Sequence, residues 1–228
     1  MAQPVIHEII ISTNNVEITC TLNGLPFYKM KSKETVTNPV TANLFLVDQE
    51  NVMEVIAKRL DSDHLGWVSF RGEVGGEGSF AVPDYAIHDA RTFRFSFNNT
   101  LIDFSRLLRK GASISENEVV EYGRHLRLLA EERNTSRLME EFGPKINDYA
   151  TAFNAPRDLL MKQAMESINI FLSDSKVGEK ITATPFCENR IWRIDIDGHE
   201  FFYYKTEKST STLAVFVAMV DGKIKVVR

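Results

Sequence analysis

Cysteine is scarce in this 228-residue chain, with Cys20 and Cys187 the only two. A disulfide framework in a chain of this size would need more, so free, buried thiols and a reducing, cytoplasmic setting are expected. Long apolar runs are also missing. The longest, Leu213 to Val220, is strand length and far from the roughly 20 residues of a membrane helix. No basic, apolar leader precedes Glu8, so no secretory signal is expected. Nor is there an excess of positive charge. The net charge is −4, and the acidic surplus lies in residues 1–104. Phosphate-backbone binding needs a basic surplus, so nucleic acid is not the expected partner. Arg106, Arg109, Lys110, Arg124 and Arg127 form a local basic group, which reads as a solvated face beside a linker.

Nucleophile and metal motifs are equally absent. There is no G-x-S-x-G, H-E-x-x-H or paired-cysteine spacing. Gly72-Glu-Val-Gly-Gly-Glu-Gly78 is rich in glycine but carries two glutamates and no lysine. A phosphate cradle needs amide groups opening into a helix, so a hairpin or bulge fits better. Asp195-Ile-Asp-Gly-His-Glu200 brings two carboxylates near His199, yet Asp-Gly is what a tight turn requires. His88 lies beside Asp84 and Asp89 in a run that reads as a connecting loop. No metal and no cofactor are expected.

What is present is secondary-structure pattern. Residues 1–104 read as β. Val16, Ile18, Cys20 and Leu22 alternate with Glu17, Thr19 and Thr21, the period-two signature of a half-buried strand. Phe93, Phe95 and Phe97 alternate in the same way. Ile9–Ile11 is expected to join Val16–Leu22 in a hairpin through Asn14-Asn15. Asn23-Gly24 is expected to turn the chain into Leu25–Met30. Further strands are expected at Asn43–Val47, Val52–Ala57, Trp67–Phe70 and Ser79–Val82. About eight short strands in about 100 residues define an antiparallel sandwich.

Thr100–Lys110 reads as a short helix or an extended connector, and a linker is placed at 105–115. Ser115-Glu-Asn-Glu118 is a capping box, and Val119, Tyr122, Leu126 and Leu129 follow at helical spacing. Leu138, Met139 and Phe142 mark a second helix, expected to stop at Gly143-Pro144. Ile146, Tyr149 and Phe153 mark a third, and Met161, Met165, Ile168 and Leu172 a fourth entered through Pro156. From Lys180 the chain returns to β, at Ile181–Thr184, Arg190–Ile196, Glu200–Tyr204, Leu213–Val220 and Lys223–Val227. Asp197-Gly198 and Asp221-Gly222 are expected hairpin turns. The fold class is α+β: an N-terminal antiparallel β-sandwich (1–104), then a C-terminal domain (116–228) of helices packed on an antiparallel sheet.

The order of helices followed by a meander, the run Val119-Val-Glu-Tyr122 through Phe142, and the closing Val220-Asp-Gly-Lys-Ile-Lys-Val-Val-Arg228 carry a resemblance. Residues 114–228 resemble the cone-shaped α+β group of nuclear transport factor, ketosteroid isomerase and SnoaL-like proteins. The long helix at 156–172 departs from it. The resemblance implies a pocket between helices and sheet but no chemistry, since that group includes enzymes and pure binding modules. No catalytic acid and tyrosine pair is there to carry over. More loosely, Leu22-Asn-Gly-Leu25 and Val47–Val55 give the first half a resemblance to accessory β-sandwich modules of carbohydrate-active and secreted enzymes.

The candidate pocket residues are Tyr122, Tyr149, Trp192 and Tyr204, with Asp148 as a further polar group. Phe202 and Tyr204 are expected on one sheet face and Phe201 and Tyr203 on the other. Core, interface and pocket remain open for this aromatic set. The functional expectation is a soluble, non-catalytic binding or assembly module, with the C-terminal sheet as a homodimer face; a third class is a bacterial accessory or immunity-type protein with a dedicated protein partner. The alternative is a small-molecule enzyme with a pocket between the C-terminal helices and sheet.

Overall fold

The structure, a computed structural model, describes residues 6–74, 78–174, 178–205 and 210–228, with side chains at all of these except 73, 74, 78, 79, 173, 174, 204 and 205. The fold is α+β, and the chain forms two compact units that meet in sequence between Arg109 and Lys110.

The first unit holds β1 (Glu8–Asn14), β2 (Val16–Leu22), β3 (Leu25–Ser32), β4 (Val36–Thr41), β5 (Gln49–Arg59), β6 (Gly66–Val74), β7 (Gly78–Ile87) and β8 (Arg91–Asn99). They make two four-stranded antiparallel sheets, ordered β4-β1-β6-β7 and β3-β2-β5-β8. Alternate residues from both sheets, among them Ile9, Ile11, Ile18, Cys20, Met53, Val55 and Phe70, bury together as one core. Phe93, Phe95 and Phe97 face inward as their alternation implied, and Phe70, Phe80 and Tyr85 stack or tilt against them. Asn23 and Gly24 take positive φ of 52° and 84° between β2 and β3, as their turn chemistry demands. The glycine-rich run is split: β6 pairs with β7 up to Val74 and Gly78, and residues 75–77 lie outside the described residues.

Two local expectations are corrected, and one strand falls where none was expected. Asn14-Asn15 is not a hairpin, because β1 and β2 belong to different sheets. Asn15, at φ 51°, is the corner where the chain changes sheet. Its buried side-chain amide donates to the carbonyls of Asp61 (2.9 Å) and His64 (2.7 Å), and its oxygen accepts from the Asp61 N–H (3.0 Å). Asn43–Val47 is not a strand but opens with a 3-10 turn over Asn43–Phe45. Side chains take up the backbone groups a sheet partner would use. Asn23 donates to the Phe45 carbonyl, Asn51 bonds both the N–H and the carbonyl of Val47, and Asn99 donates to that same carbonyl. Leu46 and Val47 stay fully buried without a ladder. Finally, β4 went unrecognised because Val36-Thr-Asn-Pro-Val-Thr41 has no buried face and contains Pro39. It is an edge strand, paired with β1 alone, where proline is tolerated.

Thr100–Lys110 forms a short helix, α1 (Ser105–Leu108), placed with the first unit. The second unit contains α2 (Glu116–Glu131), α3 (Thr135–Glu141), α4 (Gly143–Ala152) and α5 (Arg157–Asp174). The Ser115/Glu118 capping box forms in both directions, and Asn134 caps α3. Gly143-Pro144 does not end the helical path. Phe142 closes α3 and α4 starts at once, with Pro144 in a first turn that has no N–H to lose.

The strands are β9 (Ile181–Phe186), β10 (Ile191–Ile196), β11 (His199–Glu200), β12 (Phe202–Lys205), β13 (Thr210–Leu213), β14 (Val215–Val220) and β15 (Lys223–Val226). β10 is central: it pairs with β9 on one side and with β11 and β14 on the other, and β14 pairs with β15. β12 and β13 form a separate ribbon. Asp197-Gly198 and Asp221-Gly222 turn with positive φ at both residues. Two expected strands are interrupted, at Phe201 and at Ala214. The break at Phe201 also resets the alternation, so Phe201 (6%) and Phe202 (4%) are both buried rather than facing opposite ways.

α2 reaches the sheet through Gly123. A methyl group there would come within 2.9 Å of Ile181 and 3.1 Å of Ile194, so glycine sets how close helix and sheet lie. Val119, Leu126, Leu138, Phe142, Ile168, Trp192, Ile194 and Val217 fill the space between helices and sheet as one core.

Candidate functional site

The residues between helices and sheet form one core, and one space lined mainly by apolar side chains lies at its margin. A cleft of about 200 Å³ opens between α4 and α5, with Leu213 of β13 at its side. α4 contributes Lys145, Ile146 and Tyr149, Phe142 stands at its head, and α5 contributes Leu160, Ala164, Ser167 and Ile168. The spacing 142, 145, 146, 149 is one helical stripe, which is why these four side chains share a face.

Lys145 is the unusual member. Its ammonium sits 5.7 Å from the centre of the Phe142 ring, in cation–π range. No carboxylate pairs with it among the described residues. Burial, with a smaller contribution from the Arg228 charge, lowers its pKa to about 8. Burial raises the Tyr149 pKa, so that phenol keeps its proton. Asp148, on the same helix, is engaged by the buried Arg228 guanidinium.

The expected pocket residues scatter. Tyr149 lines the cleft. Tyr122 does not: its hydroxyl donates to Glu141 (2.6 Å), which also accepts from Lys225 (2.8 Å). His125 lies 3.8 Å from the other Glu141 oxygen. Burial pushes the Glu141 carboxyl up, but the bonds from Lys225 and Tyr122 and the charges of Lys225 and His125 together hold it below its usual value. This is a tie between α2, α3 and β15. Trp192 is a core residue whose indole donates to the Asn189 carbonyl (3.0 Å). The Tyr204 side chain lies outside the described residues. Sequence reasoning missed Lys145. The available signal was a lysine in the apolar stripe from Phe142 to Tyr149.

The polar clusters noted in the sequence resolve into local structure. Asp197 accepts from the N–H groups of Glu179 and Lys180, and Asp195 accepts both Arg193 bonds. His199 is exposed and stacks on Tyr203 at 4.4 Å. Among the described residues no three His, Cys, Asp or Glu side chains converge as metal ligands would. Burial pushes the thiols up, Cys20 to about 12 and Cys187 to about 11, far from the thiolate range of reactive cysteines. No described helix is long and apolar enough to cross a membrane. No family model, characterised protein or solved structure matches the chain.

Proposed function

We propose that the protein is a non-catalytic binding module whose second unit accepts a small, mainly apolar molecule in the cleft between α4 and α5. The carrying observation is the lining of that cleft: six apolar side chains, one amine, one phenol and one hydroxyl, with no carboxylate or imidazole among them. A mostly apolar lining with few polar points is what ligand pockets have. The size agrees, since a cavity of roughly 150 Å³ already takes a benzene ring. The order of helices followed by a meander supports placing this unit with the cone-shaped α+β group, whose members include binding modules. Its cleft then lies at the edge of the helix-to-sheet space rather than deep within it.

The test is thermal unfolding with 1-octanol. A ligand at about ten times its dissociation constant stabilises by about 1.4 kcal/mol, which raises the unfolding temperature by a few degrees. Octanol is expected to produce that rise in the native protein and none in A164F, where a ring occupies the cleft. An equal response in both, or none in either, overturns the proposal.

A further inference from the structure

We propose that the ligand of this cleft carries a carboxylate on an apolar chain of about six to eight carbons, and that Lys145 is the residue that selects it. The inference rests on the binding reading above and names the class of molecule bound. Lys145 is a cation on an apolar wall, beside the Phe142 ring, with no acid alongside. An unpaired charge partly withdrawn from water is unfavourable, and a charged partner arriving with the ligand removes that penalty. The neighbouring charge has the same sign. The Arg228 charge acts on Lys145, and Arg228 is already bonded to Asp148, so the local field favours an anion. Tyr149, one turn along from Lys145, keeps its phenolic proton and supplies a donor on the same face.

The chain length follows from the volume. Some 200 Å³ lined by Phe142, Ile146, Leu160, Ala164, Ile168 and Leu213 suits a short alkyl chain or one ring, not a long acyl chain. An ammonium is a point charge suited to a single anionic head.

The pH dependence has a fixed sign. The groups facing Lys145 are Arg228, whose partner is Asp148, and Tyr149 on its own helix. The α5 residues lining the cleft carry no titratable group, and Glu141, next to Phe142, is held by Lys225 and Tyr122. With the amine titrating near 8, a carboxylate ligand binds best below that value and progressively less well above it. A neutral ligand shows no such loss.

The experiment compares octanoate with 1-octanol by calorimetric titration at pH 7 and pH 9.5, on the full chain, K145R and K145M. Octanoate is expected to bind about tenfold more tightly than octanol at pH 7. That preference should survive in K145R, vanish in K145M and fall severalfold at pH 9.5. Equal binding of the two probes by the native protein overturns the role of Lys145 while leaving the cleft reading standing. A preference for octanoate that persists in K145M also overturns it. Binding of neither probe overturns the cleft reading itself. The pH comparison on the native protein stands even if K145M does not fold.

Discussion

The two units treat buried polarity in opposite ways. In the sandwich, the buried polar side chains are mostly neutral amides with their bonds made. Asn15 closes the sheet-changing corner, and Asn51 bonds Asn23, Val47 and Gln49. In the second unit buried or half-buried side chains carry charge: half-buried Glu141 between Tyr122 and Lys225, buried Arg228 on Asp148, and half-buried Lys145 with no acid beside it. The cleft between α4 and α5 lies in that second unit. A buried amide whose bonds are all met stabilises one backbone path and offers a ligand nothing. A half-buried amine without a counter-ion is a site that something else can complete.

Each unit has its own reporter for breaking this comparison, because Trp67 lies in β6 and Trp192 in β10. Unfolding can be followed by fluorescence with the other tryptophan replaced by phenylalanine. The largest effect is expected from N51A. Asn51 is fully buried, and removing its amide strands the Val47 N–H and the Gln49 carbonyl and leaves the Val47 carbonyl with Asn99 alone. A loss of about 4 kcal/mol is expected at the Trp67 transition. G123V comes next, at about 3 kcal/mol at the Trp192 transition, since its side chain collides with Ile181 and Ile194 where α2 meets the sheet.

E141Q should lower the same transition by about 2 kcal/mol, because Lys225 loses its charge partner. In the native protein, Glu141 titrates lower when folded than when unfolded, so the unfolded chain binds the proton more readily. Its contribution is therefore present above the ordinary carboxylate value and lost as pH falls through the folded one. E141Q should flatten the acid limb of a stability–pH profile.

The smallest effect has the opposite direction. K145M is expected to stabilise by about 1–2 kcal/mol at pH 7, because the native fold disfavours the charged amine. Between pH 8 and the ordinary lysine value of 10.5 the unfolded chain holds that proton and the folded chain does not. The native protein thus gains stability on that limb, and its deficit against K145M should close. A deficit that stays constant with pH would detach the effect from titration.

Much of the fold was legible in the sequence because it is written in local periodicity and turn chemistry. Val16–Leu22, the Asn-Gly and Asp-Gly turns and the Ser115 capping box each depend on residues within a few positions of one another. What was not legible depends on distant partners. Asn43–Val47 has strand composition, but Asn23 and Asn99 claim its backbone from 22 and 52 residues away, and Asn51 does so from 4 residues beyond its end. Asn14-Asn15 has hairpin composition, yet Asp61 and His64 hold it as a corner. The site was half legible. Tyr149 was found as part of an apolar stripe, while Lys145 was passed over because a lysine is usually solvated. Trp192 was taken for a pocket residue because aromatic composition alone does not tell a core from a cleft.

The central claim is that the second unit binds and the sandwich does not. Backbone amide resonances of the full chain, followed as octanoate is added, test it most directly. Shifts are predicted along α4, along α5 and at Leu213, with residues 6–109 unmoved. Shifts centred on strands β1 to β8, with α4 and α5 silent, would contradict it.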